Sequence, residues 1–243
     1  PWEGVRDAAE FAAPCPQPSR YAGCPQCGWS TIQNLQAADE SCLFLNIVAP
    51  PASLAPPSPK GFPVVVYFHA GEFHFGAGSD KESDVPYFAD DVVLVTPNSR
   101  LGAFGFLFAD ELKRGSGHFG ILDQRFALEW VQVHISAFRG DASSVTIWGE
   151  SSGGTSVAAH LALPGSWGLF HRAILESPGL TQVKLASDAS LNSDWVFSAL
   201  LASRSLGCVR NATVYNLFTD VMLVGSKPIG GGLLWSDARA RKA

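Results

Sequence analysis

The residues best suited to covalent chemistry are Gly149-Glu150-Ser151-Ser152-Gly153, which fit the pattern Gly-x-Ser-x-Gly. In a chain with 24 glycines the pattern alone is cheap, and its flanks are what make it specific. It follows directly on an apolar run ending at Trp148 and leads into Gly154-Thr155-Ser156-Val157-Ala158-Ala159-His160-Leu161, a helix-forming stretch. That is the strand-turn-helix setting of a nucleophile elbow, in which a sharp, strained turn exposes the serine hydroxyl. The glycines then have a mechanical reason, because a Cβ at Gly149 or Gly153 would meet the neighbouring strand or helix. The simpler reading of Ser151 is an ordinary helix N-cap. A serine nucleophile also needs donors aimed at the developing oxyanion, worth about 3–4 kcal/mol each when lost. Upstream, the run Val64 to Phe68 ends in His69-Ala70-Gly71-Glu72-Phe73. The backbone N–H groups of Gly71, Glu72 and Ser152 are the oxyanion candidates, and His69 reads as a support for the loop rather than as a base.

Positioning these groups takes a sheet. Cys42 to Val48, Pro63 to Phe68, Asp91 to Val95 and Ser144 to Trp148 are short, continuous apolar runs rich in β-branched or aromatic residues. Such runs are the pattern of strands buried on both faces inside a largely parallel sheet. Arg172 to Leu175 reads as a further strand. Leu122 to Phe138 carries Phe126, Ala127, Trp130, Val131 and Ile135 at helical spacing, with Asp123 in the first turn, where a negative charge suits the dipole. Helices are also expected from Ser151 to about Leu161 and from Ser193 to Leu206. This alternation implies an α/β sheet with helices on both faces. Residues 50–62, with Pro50, Pro51, Pro56, Pro57 and Pro59, read as an extended connector, and Gly230 onward as loop and tail.

Composition excludes several classes of function. The 243 residues are 47% hydrophobic and 16% charged, against roughly 25% charged in an average soluble domain, so there is a core to bury. The net charge of −5 and the lack of a Lys/Arg cluster argue against nucleic acid as a partner. No apolar run approaches the roughly 18–20 residues of a membrane span. The opening Pro1-Trp2-Glu3 has neither an initiator Met nor a signal pattern, so a missing N-terminus is expected. Cys24-Pro25-Gln26-Cys27 has the spacing of half a zinc knuckle or a redox pair, but no second Cys-x-x-Cys or His pair follows. No metal or other cofactor is expected. A cysteine-rich surface loop in an oxidising compartment is the reading adopted, with Asn211-Ala212-Thr213 as a glycan acceptor and a secreted or luminal location. Five cysteines leave one thiol over.

Taken in order, Glu40 to Asn46, the His69 loop, Asn98 to Phe106, Gly120 to Arg125, Gly149 to Gly154 and Gly168 to Leu175 resemble the type-B carboxylesterase/cholinesterase family over residues 1 to about 210. The resemblance implies an α/β-hydrolase fold with a mostly parallel central sheet and helices on both faces. It also implies that residues 1–243 are a partial domain, since the family's chain is roughly twice as long and the match is to its N-terminal half. The implied activity is carboxylic-ester hydrolysis of a small-molecule substrate through an acyl-enzyme, with Ser151 as nucleophile. Further implications are a first disulfide between Cys15 and Cys42, a structural ion pair of Arg100 with Asp123, Glu40 as a fold-supporting acid, and Cys208 as half of a second disulfide.

Departures from the family shape the remaining expectations. Triad order in this fold is Ser, acid, His, and after Ser151 the chain offers only His160 and His171. His160 lies about 13 Å further along the same helix at 1.5 Å per residue, and His171 opens the next strand. Neither reaches Ser151, so the acid and base are expected from outside these residues, and the chain alone is expected to be inactive. Glu72 stands where the family has glycine. It brings bulk and negative charge beside an oxyanion, and strain of about 1–3 kcal/mol if its φ is positive, unless the carboxylate swings out to solvent. Ser99, Arg139 and Ser152 are smaller departures. Trp29 falls about three positions short of the cation-binding Trp of the cholinesterase branch, so a general carboxylesterase is the better reading. The rival is a non-catalytic cholinesterase-like adhesion or binding protein, or a truncated pseudoenzyme.

Overall fold

The computed structural model describes residues 8–17, 38–80, 90–108 and 117–179. The expected helix at 193–206, the tail, Cys24, Cys27, Trp29, Cys208 and Asn211 lie outside the described residues. Five strands form one sheet: β1 (Leu45–Val48), β2 (Phe62–Phe68), β3 (Val93–Pro97), β4 (Gly140–Glu150) and β5 (Arg172–Glu176), in the spatial order β1-β3-β2-β4-β5. β3, β2, β4 and β5 run parallel, and β1 pairs antiparallel with β3. The helices are α1 (Gly102–Phe106), α2 (Phe119–His134) and α3 (Ser152–Ala162). Among the described residues no helix is long and apolar enough to cross a membrane.

The core follows from strand periodicity. Phe62, Val64, Val66 and Phe68 alternate along β2 onto one face, where they join Val93, Val95, Val145 and Ile147 from the neighbouring strands. Leu128 and Val131 of α2, Ile135 just after it and Val157 of α3 close the layer. Each fully buried side chain of this size contributes about 1.5–3 kcal/mol before the cost of ordering.

Three local expectations change. β1 is an edge strand, antiparallel and only partly buried, rather than an inner parallel one. With a partner on one side only, it is covered less than the central strands. α2 begins at Phe119, three residues before the expected start, so Asp123 sits past the first turn. Its carboxylate serves the chain rather than the dipole: Arg100 donates from Nε to Oδ2 (2.8 Å), from Nη2 to Oδ1 (2.6 Å) and from its backbone N–H to Oδ2 (3.0 Å). This two-pronged, charge-assisted pair ties the segment after β3 to α2. Phe126 is 65% exposed, whereas Ala127, Val131 and Ile135 are buried as expected, and Ile121 and Leu128 complete the stripe.

Arg139 gains a role. It follows a 3-10 turn (Ile135–Phe138) in the left-handed conformation at φ 68°. Its guanidinium stacks over Phe62 at 5.1 Å and donates to the carbonyls of Pro50, Pro51 and Leu54, holding the proline-rich connector against β2.

α3 and α2 are joined by a buried polar chain. Ser166 Oγ donates to His160 Nδ1 (2.8 Å), His160 Nε2 to Gln124 Oε1 (3.3 Å), Gln124 Nε2 to Ser156 Oγ (3.1 Å), and Ser156 Oγ to the carbonyl of Ser152 (3.0 Å). One donating and one accepting ring nitrogen is the pattern of neutral imidazole. Burial first, and the Arg125 charge second, lower the His160 pKa to about 3. A folded-state pKa below the unfolded value of 6.5 means that stability is complete above pH 6.5 and is lost as the pH falls toward 3. The urea midpoint should therefore decline across that window, and His160→Gln should flatten the decline; an unchanged slope would remove His160 as its source.

Candidate functional site

Two loops leave the carboxyl ends of neighbouring strands, one from β2 and one from β4, where Phe68 pairs with Gly149. From β2 the chain passes to β3 on one side, and β4 then takes the other side. Strand order reverses here, and in open parallel sheets the crevice at such a point is where ligands bind.

The turn after β4 carries Ser151 at φ 53°, ψ −118°. A non-glycine residue in this region costs about 1–3 kcal/mol and persists only where its surroundings over-determine it. They do so here. The Ser151 N–H donates to Glu176 O at 2.9 Å, and its carbonyl accepts the Thr155 N–H (2.9 Å) and hydroxyl (3.2 Å). A Cβ on Gly153 would collide with the Phe68 carbonyl, one on Gly149 would lie 2.8 Å from Gly153 Cα, and one on Gly154 would lie 2.7 Å from Glu176 O. Ser151 occupies the N-cap position of α3, yet its side chain makes no capping bond. The ordinary N-cap reading therefore fails. Glu150 and Glu176 face each other across the β4–β5 ladder. Burial first, and the Glu176 charge second, push the Glu150 carboxyl above its usual range.

The loop after β2 turns back on itself through a run of positive φ: Gly71 (116°), Glu72 (55°) and Phe73 (62°). The Gly71 carbonyl accepts N–H bonds from His74 (2.8 Å) and Phe75 (3.1 Å), which closes the turn. Phe73 offsets its backbone cost by burial, with its ring 4.9 Å from Phe106 and packed on Ile121. Glu72 is exposed and Gly71 and Ser152 are buried. The condition for backbone strain at Glu72 is met, since its φ is positive, and the residue is exposed to solvent. Ser152 begins α3, so its N–H has no acceptor within the helix and lies at the positive end of the dipole.

The structure brings neither histidine beyond Ser151 to it. His160 is wholly buried against Ser166 and Gln124. His171 Nδ1 accepts the Val145 N–H at 3.2 Å, five residues back from the end of β4 and about 17 Å from it. His69 Nδ1 donates to Ala70 O at 2.8 Å, inside its own loop. Burial pulls the His69 pKa down, against the Ala70 bond and the charge of Asp80. Cys15 and Cys42 form a disulfide, and Arg100 pairs with Asp123. Glu40 is exposed. Sequence reasoning assigned nothing to Gln17 or Asn98, two buried amides whose bonds end on the β2 loop. Asn98 opens the Asn98 to Phe106 motif, whereas Gln17 carries no signal at all.

Residues 1–221 match the sequence profile of the carboxylesterase family. The chain is 44% identical over 179 residues to the para-nitrobenzyl esterase of Bacillus subtilis, a match covering 72% of this chain and 34% of that protein. It is 40% identical over 181 residues to the acetylcholinesterase of Danio rerio, covering 73% of this chain and 28% of that protein. Among solved structures, a PNB esterase superposes with a TM-score of 0.75 at 34% identity, covering 91% of this chain and 44% of the other. A thermophilic PNB esterase gives 0.74 at 34% identity. The chain thus spans less than half the length of these relatives, and its fold is that of an α/β-hydrolase.

The contact of Gly153 with Phe68 makes a prediction whose sign is informative. Helix propensity alone favours Gly153→Ala by about 1 kcal/mol. The collision should instead destabilise the chain by about 1–3 kcal/mol and speed hydrogen exchange at residues 69–73. A stabilised variant would show that the two backbones are not in contact.

Proposed function

The chain belongs to the carboxylesterase family, and from that premise we propose that Ser151 is the nucleophile of a carboxylic-ester hydrolase. The observation that carries this reading is the backbone of Ser151, left-handed at φ 53° with its side chain withheld from the helix it caps. Its Oγ attacks the ester carbonyl carbon as its proton passes to a base. The carbonyl π electrons move onto oxygen, and the N–H groups of Gly71, Glu72 and Ser152 receive that oxyanion. Collapse expels the alcohol and leaves an acyl-enzyme, which water then cleaves to release the acid. The bonds of His160 and His171 support the view that neither takes the serine proton, and that the base and its acid come from beyond the described residues. By itself the chain should then hold the nucleophile without turning over. The substrate class is a small-molecule ester, as the names of the relatives suggest, and the Cys15–Cys42 bridge supports a secreted or luminal setting.

A second reading, a non-catalytic binding relative, is favoured by Glu72 at φ 55° in the place expected of glycine. Fluorophosphonate labelling at alkaline pH, where hydroxide replaces a side-chain base, separates the two. The chain should acquire one adduct, located on Ser151 by peptide mass and lost in Ser151→Ala. Absence of that adduct would favour the binding protein. Glu72→Gly should raise the labelling rate severalfold, because glycine accepts the left-handed conformation freely and removes a charge of the wrong sign. An unchanged or lower rate would clear Glu72 of any penalty.

A further inference from the structure

Behind the loop that follows β2 lies a polar network that belongs to no strand or helix. Gln17, 7% exposed, accepts the Gly76 N–H at its Oε1 (2.9 Å) and donates from Nε2 to the carbonyls of Gly76 (3.0 Å) and Cys15 (3.1 Å). One side-chain amide thus pairs with both backbone groups of a single residue, as a neighbouring strand would. Asn98, 8% exposed, holds the loop two residues on by its N–H alone: its Oδ1 accepts the Gly78 N–H (2.8 Å), and its Nδ2 donates to the carbonyls of Cys42 (3.0 Å) and Ala13 (3.2 Å). Each amide has one end on the loop and the other on the main chain at or beside the Cys15–Cys42 bridge. Buried amides with their bonds satisfied on both sides fix geometry, because any other arrangement strands a desolvated polar group.

What they fix is a strained segment. Gly71, Glu72 and Phe73 all hold positive φ, and two of the three are not glycine. Such a run relaxes unless both ends are held. Phe73 is held from one side by its packing and by the Gly102 N–H on its carbonyl at 2.7 Å. Gly76 closes the other side at φ 110°. A Cβ there would lie 2.6 Å from Ala70 O and 3.0 Å from His69 Cε1, so Gly76 backs directly onto the exit from β2.

We propose that Gln17 is a positioning residue for the oxyanion side of the site: through Gly76 it sets the aim of the Gly71 and Glu72 N–H groups, and it takes its own rigidity from the Cys15–Cys42 bridge. The proposal rests on the reading of Ser151 as nucleophile and of this loop as its oxyanion contributor. Oxidation of one bridge on the far side of the loop thereby becomes a condition for tight oxyanion geometry.

The test compares the 243-residue chain with its Gln17→Ala and Gln17→Glu variants by hydrogen exchange and by the rate of fluorophosphonate labelling at alkaline pH. Glutamate keeps an acceptor for the Gly76 N–H and loses both donors. In Gln17→Ala, exchange over residues 71–78 should quicken by about tenfold while α2 and β2 are unmoved. The limiting labelling rate should fall by about tenfold at an unchanged half-saturating concentration, the mark of geometry lost at the reacting centre. Gln17→Glu should fall between the two, with the Gly76 amide still slow. Reduction of Cys15–Cys42 should quicken the same segment in the wild type and add nothing in Gln17→Ala. Unchanged exchange over 71–78 in Gln17→Ala, acceleration spread evenly over the sheet, or a loop indifferent to reduction would overturn the proposal. A wild-type serine that never labels would defeat the nucleophile reading instead, and the exchange comparison would then decide the proposal by itself.

Discussion

At the crest of β4 three stretches of backbone meet at distances that no side chain permits. Gly149 abuts Gly153 across the elbow, Gly153 abuts the end of β2 at Phe68, and Gly154 abuts β5 at Glu176. Because these contacts are backbone to backbone, they cannot be relieved by a rotamer change. They force α3 to start at the top of the sheet, and Ser151, the one residue between strand and helix, absorbs the whole change of direction in its φ and ψ. The strained backbone of Ser151 is a by-product of that packing rather than a separate design.

A second layer of interactions keeps the crest in place from below and from the side. The His160–Gln124–Ser156 chain ends on the carbonyl of Ser152, so the first turn of α3 is tied through hydrogen bonds to α2. α2 is in turn clasped by Arg100 through Asp123, and Arg100 follows β3 by three residues. Phe73 packs on Ile121 in a buried cluster separate from the main core. The two loops of the candidate site therefore share α2 as a common support, although neither contains a residue of it.

Much of this is legible in the sequence, and the reasons differ by residue. Gly149, Gly153 and Ser151 announce themselves because a steric requirement leaves few residue types that can meet it, and the flanking strand and helix patterns fix the context. The central strands β2 and β4 read correctly because continuous β-branched runs have few other uses. The face of α2 reads correctly at Ala127, Val131 and Ile135 and misleads at Phe126, where Leu128 offers a competing stripe and the choice falls to the distant Arg100, which Asp123 must meet. β1 misleads because a short apolar run looks the same at the edge of a sheet as at its centre. Gln17 is silent, since an amide bonded to main chain 59 residues away obeys no local period.

The pairing of Phe68 with Gly149 has a kinetic meaning. It closes a chain loop of about 80 residues, an entropic charge that must be met before the rewarding contacts form, and parallel pairings of such range are slow. The strained backbone at Ser151 depends on that pairing and on the one with β5. An isolated stretch from β4 to α3 would thus have no reason to hold the elbow. On a ribosome the serine would emerge as an ordinary turn residue and acquire its posture only after β5 had followed it out, so that reactivity and completed topology arrive together.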